Sequence, residues 1–232
     1  DLRTIARGSP GFSGADLMNL VNEAALMAAR MGRRFVTMVD FENAKDKVMM
    51  GAERRSMVLT QDQKEMNAYH ESGHAIVGMA LPKCDPVYKA TSIPRGGSLG
   101  MVMSLPEMDR LNWHKDQCEQ RIAMTMAGKA AEVLKWGEDS VSNGPSGDIQ
   151  QTSGLARAMV QSWGMSDLVG NLHYAAAHDG HSGNAGGFPV SAETKRLIAQ
   201  EVSRPIHEGY RPASRILMAM QADVKILAAG LL

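Results

Sequence analysis

The run His70-Glu71-Ser72-Gly73-His74 sets two imidazoles four residues apart, with a carboxylate beside the first. On a helix, residues four apart stack on one face a turn apart. Both rings can therefore offer neutral nitrogens to a single cation. Zinc held by two His and a carboxylate keeps an open position for water and lowers that water's pKa to roughly 7. Glu71 is placed to take the water's proton and later pass it to a leaving amine. The chemistry these residues could do is hydrolysis of a peptide bond. Ser72 and Gly73 are small enough to let substrate or a neighbouring element approach closely.

A third ligand must come from elsewhere. A third His six residues after His74 is ruled out, because that position is Ala80. Asp148 opens a predicted helix after a flexible loop and could reach across to the ion, although Asp at a helix start is also favoured simply by the dipole. Glu132, on the preceding predicted helix, is the competitor, as ligand or as partner of a ligand. Spacing leaves the two nearly even.

The elements that must position these groups are mostly helical. Ser13 with Asp16 reads as a helix cap, followed by Leu17, Leu20, Val21, Ala24, Ala25 and Ala28 at helical spacing, with Gly32 as the stop. Thr37 with Asp40 caps a second amphipathic stretch through Phe41, Ala44 and Val48. These form a small helical unit over residues 1–51. A polar, aperiodic linker covers 52–59. A second unit covers 60–232. Its first helix opens on the capping box Thr60/Gln63, carries the His-Glu motif, and runs to Leu81 before Pro82. Strand-like runs follow at Val87–Ile93 and Leu99–Ser104, separated by Pro94-Arg95-Gly96-Gly97. Further helices are expected at Asp116–Trp136 and Asp148–Trp163. The tail from Ser191 to Leu231 reads as two helices broken near Tyr210–Pro212. The fold class is thus mainly α with a small β-sheet.

Composition narrows the function classes. Of 232 residues 44% are hydrophobic, enough to bury a core, and 25 Lys+Arg balance 25 Asp+Glu, so nucleic acid is not an expected partner. The 18 Met point to helix packing. Cys84 and Cys118 lack paired spacing and read as free thiols. No stretch approaches the roughly 20 apolar residues that span a bilayer, and no signal peptide opens the chain. The chain starts at Asp1 on a helical pattern, which reads as a piece of a longer protein.

The residues also carry a resemblance. Gly11-Phe12-Ser13-Gly14-Ala15-Asp16-Leu17 and Asn19-Leu20-Val21-Asn22-Glu23-Ala24-Ala25-Leu26 resemble the helical lid of an FtsH-type AAA module. Ala68-Tyr69-His70-Glu71-Ser72-Gly73-His74-Ala75 is similar to that family's zinc helix. Ile93-Pro94-Arg95-Gly96, Leu99-Gly100, Leu105-Pro106-Glu107, Gly128-Lys129-Ala130-Ala131-Glu132, Gly147-Asp148-Ile149 and Ala156-Arg157-Ala158-Met159-Val160 follow in the family's order. The resemblance implies that His70, His74 and Asp148 bind zinc, that Glu71 is the base, and that Glu132 supports a ligand rather than being one. It implies a helical AAA lid followed by a helical zinc-peptidase domain. Leu99, Gly100, Met101, Val102 and Met103 would form the edge to which an extended peptide adds as a strand. Ser13, Gly14, Ala15 and Asp16 would lie beside a nucleotide held by residues outside this chain. It further implies a homo-hexamer that uses ATP and Mg²⁺ to thread unfolded or membrane-extracted polypeptides. Such a parent would be anchored in a bacterial inner membrane, or an organellar one, with this part on the cytoplasmic side. Ser72, where the family usually has Ala, and Val133, in place of a second acidic residue, depart from its pattern.

Two features temper the reading. The chain has no Gly-x-x-x-x-Gly-Lys-Ser/Thr loop, so it is not expected to hydrolyse ATP itself. The stretch 175–189 is divergent, and His173, His178 and His181 read as a solvated loop rather than a metal site. The rival to an active endopeptidase is a catalytically silent oligomerisation or holding module of the same family, which the intact His-Glu motif argues against. A zinc hydrolase of small molecules leaves the lid unexplained.

Overall fold

The computed structural model describes residues 2–54, 56–96, 98–106, 112–174 and 190–232. Gly97, Glu107, His178 and His181 of the sequence reading, and the 175–189 stretch, lie outside the described residues.

The N-terminal unit is three helices: α1 (Leu2–Arg7), α2 (Gly14–Arg30) and α3 (Met38–Met50). The Ser13 hydroxyl accepts from the Asp16 N–H, and the Asp16 carboxylate accepts from the Ser13 N–H at 2.8 Å. This reciprocal cap satisfies two otherwise orphaned donors. At α3 the Asp40 carboxylate accepts from the Thr37 N–H and hydroxyl at 2.9 and 2.7 Å, and Arg33 pairs with it at 2.6 Å. Leu20, Ala24 and Ala44 form a small core with Ile5, Phe12, Met27 and Phe41 packed on it.

Charged contacts join this unit to the rest. The Tyr88 hydroxyl donates to Glu42 at 2.9 Å, Lys89 pairs with Asp46, and buried Arg95 pairs with Glu53 and donates to the Gly51 carbonyl.

Helix α4 (Gln61–Ala80) carries the His-Glu motif in its buried half, from His70 to Gly78. Its Thr60/Gln63 capping box forms as the sequence suggests. It crosses α5 (Lys115–Trp136) closely, since a Cβ on Gly73 would stand 2.5 Å from the Ala127 carbonyl. Helix α6 (Ser146–Arg157) widens at its end into a π turn, Ala158–Ser162. Ile76 and Val77 of α4 pack with Ala127, Ala130 and Ala131 of α5 and with Ala213, Leu217 and Val224 of the C-terminal helices α7 (Ala192–Ala219) and α8 (Gln221–Leu231). A second cluster, Cys118, Ile122, Met126, Ala156 and Met159, ties α5 to α6 and its π turn.

Strands β1 (Val87–Thr91) and β2 (Met101–Ser104) make one antiparallel pair, with Lys89 opposite Met103 and Thr91 opposite Met101 and a bulge between Val87 and Lys89. The mainly helical architecture with a small sheet is as expected. Several boundaries differ from the sequence reading: β1 ends at Thr91 rather than Ile93, and α6 starts at Ser146 rather than Asp148. The tail helix does not break at Tyr210–Pro212; α7 runs through Pro205 and Pro212 to Ala219, and the break falls at Met220. Proline removes one backbone donor and crowds the preceding turn. Here burial of Gly209, Ala213 and Leu217 outweighs that local penalty. The second strand starts at Met101, so Leu99 and Gly100 precede it.

Candidate metal centre and cleft

Two helices bring three donor atoms together, His70 and His74 from α4 and Asp148 from α6. His70 Nε2 lies 3.0 Å from His74 Nε2 and 3.1 Å from Asp148 Oδ2, and His74 Nε2 lies 3.6 Å from the same carboxylate oxygen. Ligands at about 2.1 Å in a tetrahedral zinc site stand roughly 3.4 Å apart. The observed separations bracket that value, so the residues fit the ion.

The opposite ring nitrogens set the tautomers. His74 Nδ1 faces the Met124 carbonyl at 2.9 Å, an acceptor only, so Nδ1 carries the hydrogen. His70 Nδ1 faces the Glu132 carboxylate at 2.8 Å. Burial pushes the Glu132 carboxyl up, but hydrogen bonds from His70 and the Ser142 N–H outweigh it and hold the group below its ordinary value, hence ionised. With both Nδ1 atoms donating, two Nε2 lone pairs point into one space, an arrangement that calls for a cation between them.

Electrostatics agree. Burial drives the His70 imidazolium down, yet hydrogen bonds to Asp148 and Glu132 and the charge of Glu71 raise its pKa to about 9. Burial likewise opposes the ionised Asp148, but hydrogen bonds to His70 and His74 hold its pKa well below the usual carboxylate range. The centre favours positive charge, whether a proton or a metal ion. Glu71 is buried, and that burial raises its carboxyl above the ordinary value despite the attraction of His74 and His70.

The centre opens into a cleft of about 900 Å³. Gln117, Arg121, Met124, Thr125 and Glu132 of α5 line one side, and Met101–Ser104 of β2 lie on another. Leu99 and Gly100 also line it, although they form a bend rather than strand. The Asn67 amide donates to the Leu99 carbonyl at 3.0 Å and to the Ser92 carbonyl at 3.3 Å, which holds this bend to α4. A Cβ on Gly100 would meet Glu71 Oε1 at 2.7 Å, so the Glu71 carboxylate and the bend are in close contact.

Glu132 stands behind His70, on the side away from the shared space, and its second oxygen accepts from the Ser142 N–H at 2.9 Å. Asp148 is the carboxylate that faces both Nε2 atoms. Ser13, Gly14, Ala15 and Asp16 cap α2 and line no part of the cleft. His173 is exposed and distinct from the cluster of His70, His74 and Asp148. Cys84 is half-buried at the cleft and Cys118 is buried in the core; neither forms a disulfide among the described residues.

Sequence reasoning missed the function of Gly128. A Cβ there would fall 2.4 Å from His70 Nε2 and 2.6 Å from His74 Nε2, so α5 forms the close wall of the centre only because this residue lacks a side chain. A Gly inside a helix is less favourable than Ala by about 1 kcal/mol, a signal that something needs the space. Asn67 was missed too; a polar residue one turn before His70 offers no such signal.

Comparison with known proteins agrees with this geometry. Residues 57–232 match peptidase family M41, and residues 1–43 match the AAA+ lid domain. The chain is 52% identical over 236 residues to the ATP-dependent zinc metalloprotease FtsH of Caulobacter vibrioides, an overlap of 100% of this chain and 38% of that protein. It is 48% identical over 231 residues to the protein of that name from Rickettsia bellii, covering 99% of this chain and 36% of the relative. For Haemophilus influenzae the identity is 47% over 222 residues, 94% of this chain and 35% of the relative. The chain spans a little over a third of the length of these relatives.

Proposed function

The chain belongs to peptidase family M41, and from that premise we propose that it is the proteolytic part of an ATP-driven protease, a zinc-dependent endopeptidase that cuts unfolded or membrane-extracted polypeptides. The observation that carries the reading is the convergence of His70, His74 and Asp148 on one space, with Glu71 buried beside it.

In this reading His70, His74 and Asp148 hold zinc, which when bound supplies Lewis-acid polarisation of water and of the scissile carbonyl. Glu71 is the base. Its carboxylate, whose pKa burial raises above the ordinary value, accepts a proton from water and returns it to the nitrogen of the leaving amine. Glu132 holds the His70 Nδ1–H and so keeps the Nε2 lone pair turned inward. The side of β2 that pairs with no strand among the described residues takes the peptide as an added strand, with Met101, Val102 and Met103 supplying backbone partners. Leu99 and Gly100 continue that edge as the bend fastened by Asn67.

Residues 1–51 are the lid, 52–59 the linker and 60–232 the peptidase domain. The separate apolar core of α1–α3 supports this division. Ser13, Gly14, Ala15 and Asp16 sit beside nucleotide in the longer protein, which supplies ATP and Mg²⁺ binding. The relatives' names carry ATP dependence and zinc. The resemblance to FtsH-type proteases adds a homo-hexamer anchored in a bacterial inner membrane, with this part on the cytoplasmic side. Among the described residues no helix is long and apolar enough to cross a membrane.

Zinc per chain, measured by elemental analysis on wild type and Asp148→Ala prepared identically, tests the centre. About one zinc in wild type and a clear drop in the variant are expected. Full zinc in both would remove Asp148 from the ligand set. No zinc in either would favour the silent holding module.

A further inference from the structure

Helix α5 presents one face along the length of the cleft. Gln117, Arg121, Thr125 and Glu132 recur at helical spacing on it, and Gly128 on the same face touches both His rings. Arg121 stands apart chemically. Its guanidinium lies over the Trp113 ring, 5.2 Å from the centroid, and among the described residues it makes no hydrogen bond or ion pair. The other cation at this end of the cleft, Lys83, faces Asp116 at 3.5 Å. A guanidinium held over an indole by cation–π attraction keeps its N–H donors available to grip a carboxylate with two parallel bonds. Trp113, itself 37% exposed, therefore holds the charge in place without consuming its donors.

Position along the helix gives the register. Arg121 and Gly128 are seven residues apart, about 10 Å along the axis. An extended peptide advances about 3.3 Å per residue. A substrate strand laid along the cleft would bring the side chain roughly three residues from the scissile bond to Arg121.

We infer that Arg121, held by Trp113, forms a substrate subsite that selects an acidic side chain about three residues from the cleaved bond. The inference rests on the peptidase reading. A single solvent-accessible ion pair gives a preference of at most about fivefold, so the subsite biases cleavage and does not gate it.

The test maps the products of unfolded casein cut by the full-length ATP-driven enzyme, comparing wild type with Arg121→Gln and Arg121→Glu by mass spectrometry. Wild type is expected to show Asp or Glu enriched about threefold at one fixed position. Arg121→Gln abolishes that enrichment, Arg121→Glu replaces it with Lys or Arg, and zinc per chain stays the same in all three. Identical cleavage profiles in all three would overturn the subsite while leaving the peptidase reading intact. Trimming at a fixed distance from the chain end, lost in Arg121→Gln, would move the guanidinium's partner from a side chain to a terminal carboxylate and overturn the assignment to acidic residues. No cleavage by zinc-loaded wild type would overturn both readings.

Discussion

Glu132 grips His70 from behind: its carboxylate accepts the Nδ1–H at 2.8 Å with one oxygen and the Ser142 N–H at 2.9 Å with the other. Only 1% of Glu132 is exposed, so neither bond is shared with water. The same side chain thereby joins the ring on α4 to the loop that leads into α6 and Asp148. Glu132→Gln keeps a single acceptor and must abandon one of its two donors. Zinc affinity is expected to fall about 10- to 100-fold, measured by competition against a chelator. An unchanged affinity would show that the His70 ring needs no such support.

Replacing Glu71 separates chemistry from metal binding. Glu71→Gln removes the proton acceptor and leaves the three donor atoms untouched. Casein cleavage by the full-length enzyme should drop by a factor of about 10² to 10⁴, with one zinc per chain retained. Turnover at the wild-type rate would take the base role away from Glu71.

Gly128→Ala is a test of space. Helix propensity alone favours Ala by about 1 kcal/mol, but the new methyl would overlap His70 Nε2. Zinc content is expected to fall to under half of wild type, while the far-ultraviolet circular dichroism of the helices stays unchanged. Normal zinc content would mean that α4 and α5 can separate at little cost.

Acid should loosen the N-terminal unit through Asp40. The Thr37 hydroxyl and N–H hold its carboxyl below the ordinary value, against burial and with help from Arg33. A depressed folded-state pKa means that the contribution is complete above the unfolded value of about 3.9. It is lost as the pH falls from there through the folded value. Asp40→Asn should lower the denaturation midpoint at pH 7 and by progressively less as the pH drops below about 4. A difference that stays constant from pH 7 to 3 would show that the carboxylate's charge is irrelevant.

What the chain reveals by itself is what short-range physics governs. The Ser13/Asp16 and Thr60/Gln63 caps form between residues three apart, and the facing of His70 and His74 follows from the helical repeat. Those features are complete within a few turns, so types and spacing suffice to read them.

Tertiary structure decided the rest. Asp148 and Glu132 lie 78 and 62 residues from His70 in sequence, and only the packing of α4 and α6 against α5 puts one at Nε2 and the other at Nδ1. Pro212 reads locally as a helix break, yet α7 continues because Gly209, Ala213 and Leu217 are buried along it. Leu99 and Gly100 look like strand but bend, because Asn67 of α4, distant in sequence, holds the Leu99 carbonyl. In each case burial or a contact made by the tertiary fold decides, and its free energy outweighs local preference.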